Sequence, residues 1–329
     1  MSDRPRASLA SAASTLRLES RIPRGLAATT LLDYLANRFR YLDRGAWSAE
    51  LAAGRVFLDG RIVRTDRPIR GGERVAYERP HHEPPVDRDV RVLHADAAIV
   101  VVDKPAHLPA HADGPFVRNT LIQILRERLA APELRLVHRL DRETSGVCVL
   151  AHTEAARAFV AEQFARGAAE KSYVAIVRGR PATMSFTVDQ AIGRAPNSIV
   201  ALRRCADANA IDAKPARTDF EVLRVGAHCA MVRCTPRTGR THQIRVHLES
   251  VGLPVLGDKL YGRPDADYLA FVQRVKAGGV AADVGPGEPG RHLLHAARLS
   301  FVHPEDGAMR TFEAPLPAEF TTWLDASPA

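Results

Sequence analysis

The chain has 329 residues, 46% of them hydrophobic, which is enough to bury the core of one large domain or of two smaller ones. No stretch approaches the ~18 apolar residues that a membrane span needs, and residues 1–20 lack the apolar segment of a secretory signal. Four cysteines without any Cys-x-x-Cys pair argue against a disulfide scaffold and against a zinc site. We therefore expect a soluble, cytoplasmic protein that holds no metal.

The charge is unevenly distributed along the chain. The net charge is +8, from 46 basic and 38 acidic residues, and all but five of the basic residues are arginine. Residues 1–80 contain 15 arginines, no lysine and nine acidic residues, so they carry +6 of that charge. A cationic amino-terminal region followed by a nearly neutral remainder predicts an additional domain that binds a polyanion such as nucleic acid.

Short local signals define the amino-terminal region. Residues 1–20 are rich in Ala, Ser and Arg and are expected to be disordered, ahead of a folded domain over 21–78. That domain is predicted to contain, in order, a helix capped by Thr29 or Thr30, a helix over 47–53, a hairpin across Asp59-Gly60 and a strand over 74–77. This order, with GRVFLDG at 54–60, resembles the RNA-binding domain named after ribosomal small-subunit protein four, the αL motif. The resemblance implies that Arg55 and Arg61 contact RNA.

A polar, proline-rich linker is predicted over 79–89, and the pattern changes after it. In the domain over 90–329 the periodicity predicts strands near 90–93, 99–102, 147–151, 173–177, 217–225 and 229–235, and helices over 120–129, 153–166 and 240–250. Strands and helices without a strict alternation predict an α+β fold around a mixed sheet. Residues 277–290, rich in Gly and Pro, are expected to form a surface loop.

The densest polar segment, HRLDRETSG at 138–146, lies between two apolar stretches that read as buried strands. Asp141 is flanked in sequence by His138, Arg139 and Arg142. Nearby cations favour the charged form of a carboxyl group, so Asp141 should stay ionised even when it is partly desolvated. Such a carboxylate is a candidate nucleophile or base, although an ordinary loop with local ion pairs would have the same composition.

A second polar segment, RTGRTHQIRVHL at 237–248, falls on the last predicted helix. Thr241, Arg245 and Leu248 would share one face of that helix. The apolar residues around Arg245 predict that it is buried, and a buried guanidinium requires an anion, which Asp141 or an RNA phosphate could supply. A solvated helix face is the simpler alternative for so many charges.

The strand predicted around 171–177 carries Tyr173. Its ring could pack in the core, or it could stack on a nucleic-acid base.

Together these segments resemble the RluA family of RNA pseudouridine synthases. The residues that carry the resemblance are DKP at 103–105, HRLDRETSG at 138–146, KSYVA at 171–175, GRTHQIRVHL at 239–248, GDKLYG at 257–262 and LHA at 294–296. The resemblance implies the pseudouridine synthase fold, a mixed and largely antiparallel sheet flanked by helices. It also implies conversion of specific uridines in RNA to pseudouridine with neither metal nor cofactor.

By the same resemblance, Asp141 falls on the catalytic aspartate, Tyr173 on the aromatic residue that packs against the target base, and Arg245 on the basic partner of the aspartate. Arg139 falls on the residue that helps to displace the target nucleotide from its stack. The neighbouring cationic and imidazole side chains are expected to contact RNA: Arg142, Arg240 and His242.

Several alternatives remain open at the level of the sequence. The amino-terminal module favours large-subunit rRNA as the substrate, whereas HADGPFVRNT at 111–120 is closer to relatives that act on tRNA. A non-catalytic RNA-binding or ribosome-assembly factor could share the fold, and an aspartate-dependent nucleoside hydrolase is a further possibility. The basic module argues against a free nucleoside as the substrate. We expect a monomer that binds RNA and no membrane.

Overall fold

The computed structural model describes residues 14–81, 83–276 and 287–325, and the protein forms two compact units over 1–85 and 86–329. The first unit contains β1 (Ser14–Arg21), α1 (Leu31–Arg38), α2 (Arg44–Ala52), β2 (Val56–Leu58), β3 (Arg61–Val63) and β4 (Arg74–His81). In the described part of the chain, no helix has the length and apolar composition that would let it cross a membrane.

The first unit packs two helices on a four-stranded antiparallel sheet in the order β1-β4-β2-β3. Thr30 caps α1 by accepting a hydrogen bond from the Asp33 amide, as its position in the sequence predicted. Asp59 and Gly60 both have positive φ angles and turn the predicted hairpin between β2 and β3. Trp47, which is completely buried, lies in the core of this unit.

Two boundary predictions in this region are wrong. Residues 14–20 were expected to be disordered, but they belong to β1, whose eight residues all pair with β4; residues 1–13 lie outside the described part. The pairing joins segments about 60 residues apart and uses backbone hydrogen bonds, so the polar local sequence gave no sign of it. The predicted linker is shorter, because β4 reaches His81 and both Val86 and Val90 are buried in the core of the second unit.

The second unit has the predicted α+β class. Its strands are β5 (Arg91–Ala95), β6 (Ile99–Lys104), β7 (Arg135–Leu136), β8 (Ser145–Ala151), β9 (Glu170–Arg178), β10 (Ser185–Val188), β11 (Ile192–Arg194), β12 (Arg204–Ala206), β13 (Ile211–Lys214), β14 (Thr218–Val225), β15 (Cys229–Pro236), β16 (Leu294–Val302) and β17 (Met309–Glu313). Its helices are α3 (Leu121–Arg128), α4 (Glu154–Arg166), α5 (Gln243–Ser250), α6 (Asp265–Lys276) and α7 (Glu319–Asp325). Most of the predicted surface loop, 277–286, lies outside the described residues.

The main sheet runs in the order β10-β14-β15-β9-β16-β8-β6-β5, with β7 and β17 attached to β8 and β16. Alternate residues of its strands point to opposite faces. Helices α3 and α5 contribute to the apolar clusters on one face, and α4 and α7 to those on the other. A separate small sheet has the order β12-β11-β13.

The centre of the main sheet is the pairing of β16 with β8, its one parallel contact among the described strands. Ala296 of β16 pairs with Gly146 of β8 on one side and with Tyr173 of β9 on the other. The strand register therefore brings the segment that precedes β8, which contains Asp141, close to Tyr173.

Gly146 gives a testable prediction about this junction. Its φ is +112°, and a Cβ atom on it would lie 2.2 Å from the carbonyl oxygen of Ala296. We expect Gly146→Ala to lower the free energy of unfolding by roughly 2–6 kcal/mol, from backbone strain and overpacking together. Gly307→Ala is the matched control, because φ there is +67° but the space is open, so the free energy of unfolding should fall by only about 1–2 kcal/mol. Equal losses in chemical denaturation would show that β16 does not approach β8 this closely.

Candidate active site

A cleft of about 570 Å³ opens on the face of the sheet that carries α3 and α5. It is lined by Leu294 of β16 and by residues from three segments of the second unit: 138–144 before β8, 164–173 from α4 into β9, and 236–245 from β15 into α5. Asp141, Tyr173 and Arg245 all line it, although more than 100 residues separate the first from the last. The fold thus collects the three predicted catalytic residues in one place.

The segment that carries Asp141 is fixed by buried hydrogen bonds to Lys259, to His292 just before β16 and to His295 of β16. The Thr144 hydroxyl lies 2.7 Å from Nε2 of His292, and the Ser145 hydroxyl lies 2.9 Å from Nδ1 of His295. Glu143 accepts a hydrogen bond from Lys259 Nζ at 2.8 Å and a second from the backbone amide of His292 at 3.0 Å. Buried polar groups with this many partners are held in one geometry, so the backbone that carries Asp141 is rigid.

Lys104 holds the other side of the same segment. Its fully buried ammonium group donates hydrogen bonds to the carbonyl oxygens of Pro105, Leu108 and Arg142. Burial lowers its pKa to about 7. His107, in the turn that follows Lys104, adopts the left-handed backbone that glycine favours, with φ at +61°.

Helix α5 starts later than predicted. The sequence placed Thr241 on the helix face of Arg245, but the helix begins at Gln243, so that part of the prediction is wrong. The reason is His242, whose φ of +58° is left-handed. An α-helix cannot include such a residue, so α5 can start only after it. The Gln243 side chain accepts hydrogen bonds from the Thr238 hydroxyl and the Arg240 amide, which fixes the loop across the mouth of the cleft.

Arg245 lies between two carboxylates. Its Nε and one terminal nitrogen donate to Asp258 at 2.6 and 2.8 Å, and the other terminal nitrogen donates to Asp141 at 2.9 Å. Asp258 is fully buried and also accepts the backbone amides of Leu260 and Tyr261. Burial works against the charge on Asp258, but Arg245, followed by His292 and the Leu260 amide, holds its pKa well below the ordinary range.

Asp141 is ionised because of Arg245, the partner that the resemblance implied, and not because of the basic residues that flank it in the sequence. Burial tends to raise its pKa, while the charge of Arg245, followed by His242 and His292, lowers it to about 2. The neighbours in sequence contribute little, because side chains that follow one another along a turn point in different directions. About a quarter of the Asp141 side chain remains exposed to the cleft, so the carboxylate can be reached by a ligand.

His138 is neutral rather than the cation expected beside Asp141. Its ring stacks on Phe164 with 4.5 Å between centroids, and its Nε2 accepts the backbone amide of Val149. Burial lowers its pKa to about 4. His138 does line the cleft, but Arg142 does not, since its guanidinium lies over the ring of Phe116 and 3.5 Å from Glu143.

The remaining predicted residues are placed as follows. Tyr173 is partly buried in the cleft wall, and Arg139 is exposed at its mouth, near His111. Arg240 and His242 also line the cleft. In the first unit Arg55 makes a two-pronged ion pair with Glu50, whereas Arg61 is exposed at the hairpin.

Sequence reasoning missed Asp258 and the pair of Glu143 with Lys259. Asp258 and Lys259 belong to the motif GDKLYG, and Glu143 belongs to HRLDRETSG. In the sequence these charges look like ordinary surface residues, and only the folded structure shows that they are buried ion pairs. Among the described residues, one trio has the composition of a metal site: His94, Asp96 and His303. One Asp96 oxygen lies 2.6 and 3.0 Å from the two imidazole rings, so hydrogen bonds already satisfy this trio.

Known proteins share this architecture. Residues 98–250 match the family described as RNA pseudouridylate synthase. The chain is 33% identical to ribosomal large subunit pseudouridine synthase D of Xanthomonas campestris, over 95% of this chain and 93% of that enzyme. It is 31% identical to an uncharacterized RNA pseudouridine synthase of Synechocystis, over 89% of this chain and 96% of that one. The solved structure of human RNA pseudouridylate synthase domain containing 1 has a TM-score of 0.56 and 28% identity, covering 71% of this chain and 86% of that chain.

The fold and the matching relatives define an RNA-modifying enzyme. The chain belongs to the RNA pseudouridine synthase family, as its RluA-like motifs predicted. Its activity is accordingly the isomerisation of uridine to pseudouridine in RNA.

The contact between Arg245 and Asp141 predicts a pH dependence. Replacing Arg245 by Met leaves Asp141 partly desolvated without its cation, so the pKa of Asp141 should rise above its ordinary value of 3.8. Asp258→Asn is combined with it, because the buried Asp258 carboxylate would otherwise be left unpaired. The rate of this double variant should rise with pH, whereas the wild-type rate, with an Asp141 pKa of about 2, should not fall from pH 8 to pH 5 on account of Asp141.

The check is single-turnover conversion across that pH range, with Asp258→Asn alone as the control. A double variant whose profile has the shape and height of the wild type would contradict the role of Arg245.

Proposed function

We propose that this enzyme modifies a uridine in large-subunit ribosomal RNA and that Asp141 carries the chemistry. The observation that supports this most strongly is an ionised carboxylate, held by Arg245 in a cleft with Tyr173 and only partly open to solvent. The substrate class is inferred from two relatives named ribosomal large subunit pseudouridine synthase D, from Nitrosomonas europaea and Xanthomonas campestris, whose alignments extend over 94–95% of this chain and so include the amino-terminal unit.

The chemistry requires that the C–N bond between sugar and base break, that the base turn, and that a C–C bond form. A carboxylate can serve by adding to the sugar or the base, or by stabilising a charged intermediate, and each role requires the ionised form. The pKa of Asp141, lowered to about 2 mainly by Arg245 against the effect of burial, supplies that form at physiological pH.

Access to the target costs energy, since a stacked nucleotide must leave its neighbours at a cost of a few kcal/mol. Arg139, exposed at the mouth of the cleft, is proposed to occupy the place that the nucleotide leaves. The Tyr173 ring is proposed to pack against the displaced base, which would offset part of the cost by about 1–3 kcal/mol of stacking. Arg240 is exposed beside them and is proposed to contact a phosphate.

Asp141→Asn tests the assignment directly. The substitution keeps the volume of the side chain and removes its charge, so we expect no pseudouridine while RNA affinity stays near that of the wild type. Asp306→Asn, on the turn between β16 and β17, is a matched control that should convert normally. Normal turnover by the Asp141 variant would refute the catalytic assignment.

The amino-terminal unit is proposed to supply RNA affinity rather than catalysis, as the αL-motif resemblance implies. Removal of one arginine–phosphate interaction should lower the slope of log affinity against log salt by about 0.7 on single strands. We expect Arg61→Gln to weaken binding and flatten this slope, with no change in the single-turnover rate at saturating enzyme. Arg310→Gln, on β17 of the second unit, serves as the control.

A truncated chain that starts at Val86 extends the same test, because Val86 and Val90 belong to the core of the second unit and must be retained. If this truncation and Arg61→Gln both leave the salt slope unaltered, the first unit is not part of the RNA interface.

The substrate class is tested by mapping pseudouridine in total RNA from cells with and without the protein. Loss of a site in large-subunit rRNA is the expected result. Loss confined to tRNA would instead support the alternative that residues 111–120 suggest.

A further inference from the structure

His242 places one ring nitrogen in the cleft beside Asp141. Its Nε2 lies 4.0 Å from the nearer Asp141 oxygen, which is too far for a hydrogen bond. Among the described residues no hydrogen-bond partner lies within reach of this nitrogen, although only 13% of the side chain is exposed. Nε2 therefore faces the open cleft, where a bound ligand can reach it.

The opposite nitrogen of the ring fixes where the proton lies. Nδ1 of His242 is 2.8 Å from the hydroxyl of Tyr261, which is 1% exposed and also accepts the backbone amide of Arg204 at 3.2 Å. Among the described residues these are the two partners of the hydroxyl. The amide can only donate, so the one phenolic proton of Tyr261 has Nδ1 of His242 as its acceptor.

The imidazole is neutral at physiological pH. Burial, and secondly the charge of Arg245, lower the pKa of His242 to about 4, although Asp141 and Asp258 favour the charged form. A neutral ring whose Nδ1 accepts a hydrogen bond carries its single proton on Nε2. The side chain therefore presents a fixed N–H donor to the cleft, and the left-handed backbone at residue 242 sets its direction.

The reaction has a use for such a donor. When the C1′–N1 bond breaks, its electron pair stays on uracil, and the negative charge spreads onto the carbonyl oxygens. When C5 then bonds to C1′, C5 loses its proton and N1 regains one, so that no atom or electron is gained overall. Fixed donors directed at developing charge in a water-poor site are among the strongest means of catalysis.

Resting on the proposed function, we propose that His242 is a catalytic residue that donates its Nε2–H to a carbonyl oxygen of the target uracil. Arg245 is less suited to this role, because three of its five N–H groups already donate to Asp258 and Asp141. A neutral imidazole also keeps its proton more firmly than an imidazolium ion, so the base is held by a hydrogen bond and remains an anion able to turn and re-attack. Tyr173 contacts the face of the ring and leaves the carbonyl edges to His242.

Two variants of nearly equal length separate the donor from the shape of the side chain. His242→Gln keeps an N–H group near the position of Nε2, whereas His242→Met has none, and both place a side chain on the same left-handed backbone. In single turnover at saturating enzyme we expect the Met variant to lose roughly 10²–10³-fold in rate, as when one donor to a developing anion is removed. The Gln variant should retain most of the wild-type rate, and RNA affinity should be unchanged in both.

Tyr261→Phe tests the tautomer. It keeps the ring that lies 4.9 Å from the Arg245 guanidinium, but it removes the hydroxyl that donates a hydrogen bond to Nδ1 of His242. The imidazole could then carry its proton on either nitrogen, so we expect a smaller loss of rate than for His242→Met. When His242 is already Met, adding Tyr261→Phe should not lower the rate further. If the double variant instead loses the product of the two single losses, Tyr261 does not act through His242.

The outcomes separate this inference from the function on which it rests. If the wild type, His242→Gln and His242→Met react equally fast while Asp141→Asn is inactive, the inference fails and the proposed function stands. If Asp141→Asn reacts normally, the proposed function itself fails. A wild-type inflection near pH 6–7 that vanishes in His242→Gln would show an imidazole that titrates during the reaction, and would also overturn the inference.

Discussion

The site depends on one guanidinium group shared by two carboxylates. Asp258 is fully buried and could not remain charged without Arg245, which is itself almost fully buried and could not remain there without an anion. Two of its nitrogens are taken by Asp258, and the third is directed at Asp141. Since one positive charge faces two negative ones, the cluster keeps a net negative charge, and Asp141 is its most exposed member.

The remaining structure holds this cluster in place. The segment around Asp141 is bound to Lys104 on one side and to His292 and Lys259 on the other, so it cannot retreat from Arg245 without breaking buried hydrogen bonds. Helix α5, which carries Arg245, starts abruptly at Gln243 because the preceding residue is left-handed. A catalytic group is most effective when its supports fix it to within a fraction of an ångström, and these contacts are such supports.

Features encoded by neighbouring residues could be predicted from the sequence. The Thr30 cap of α1 and the turn at Asp59-Gly60 are examples. What was missed depends on residues that are far apart: β1 pairs with a strand about 60 residues away, and Asp258 has meaning only beside Arg245. The residues that flank Asp141 in the sequence are not its main cations, because neighbours along a turn need not be neighbours in space, whereas the family resemblance did point to Arg245. The three central site residues were predicted through family motifs. The register around Ala296 brings the Asp141 segment close to Tyr173, and helix α5 adds Arg245.

The most direct measurement is the protonation state of Asp141 itself. In protein labelled with ¹³C at the aspartate carboxyl carbons, the Asp141 signal can be assigned by its absence from Asp141→Asn and followed as the pH is lowered. We predict that this signal stays at the chemical shift of a carboxylate through the ordinary range near 3.8 and moves only towards a pKa of about 2, as long as the protein remains folded. A midpoint at or above 3.8 in the folded wild type would contradict the claim that Arg245 holds Asp141 ionised.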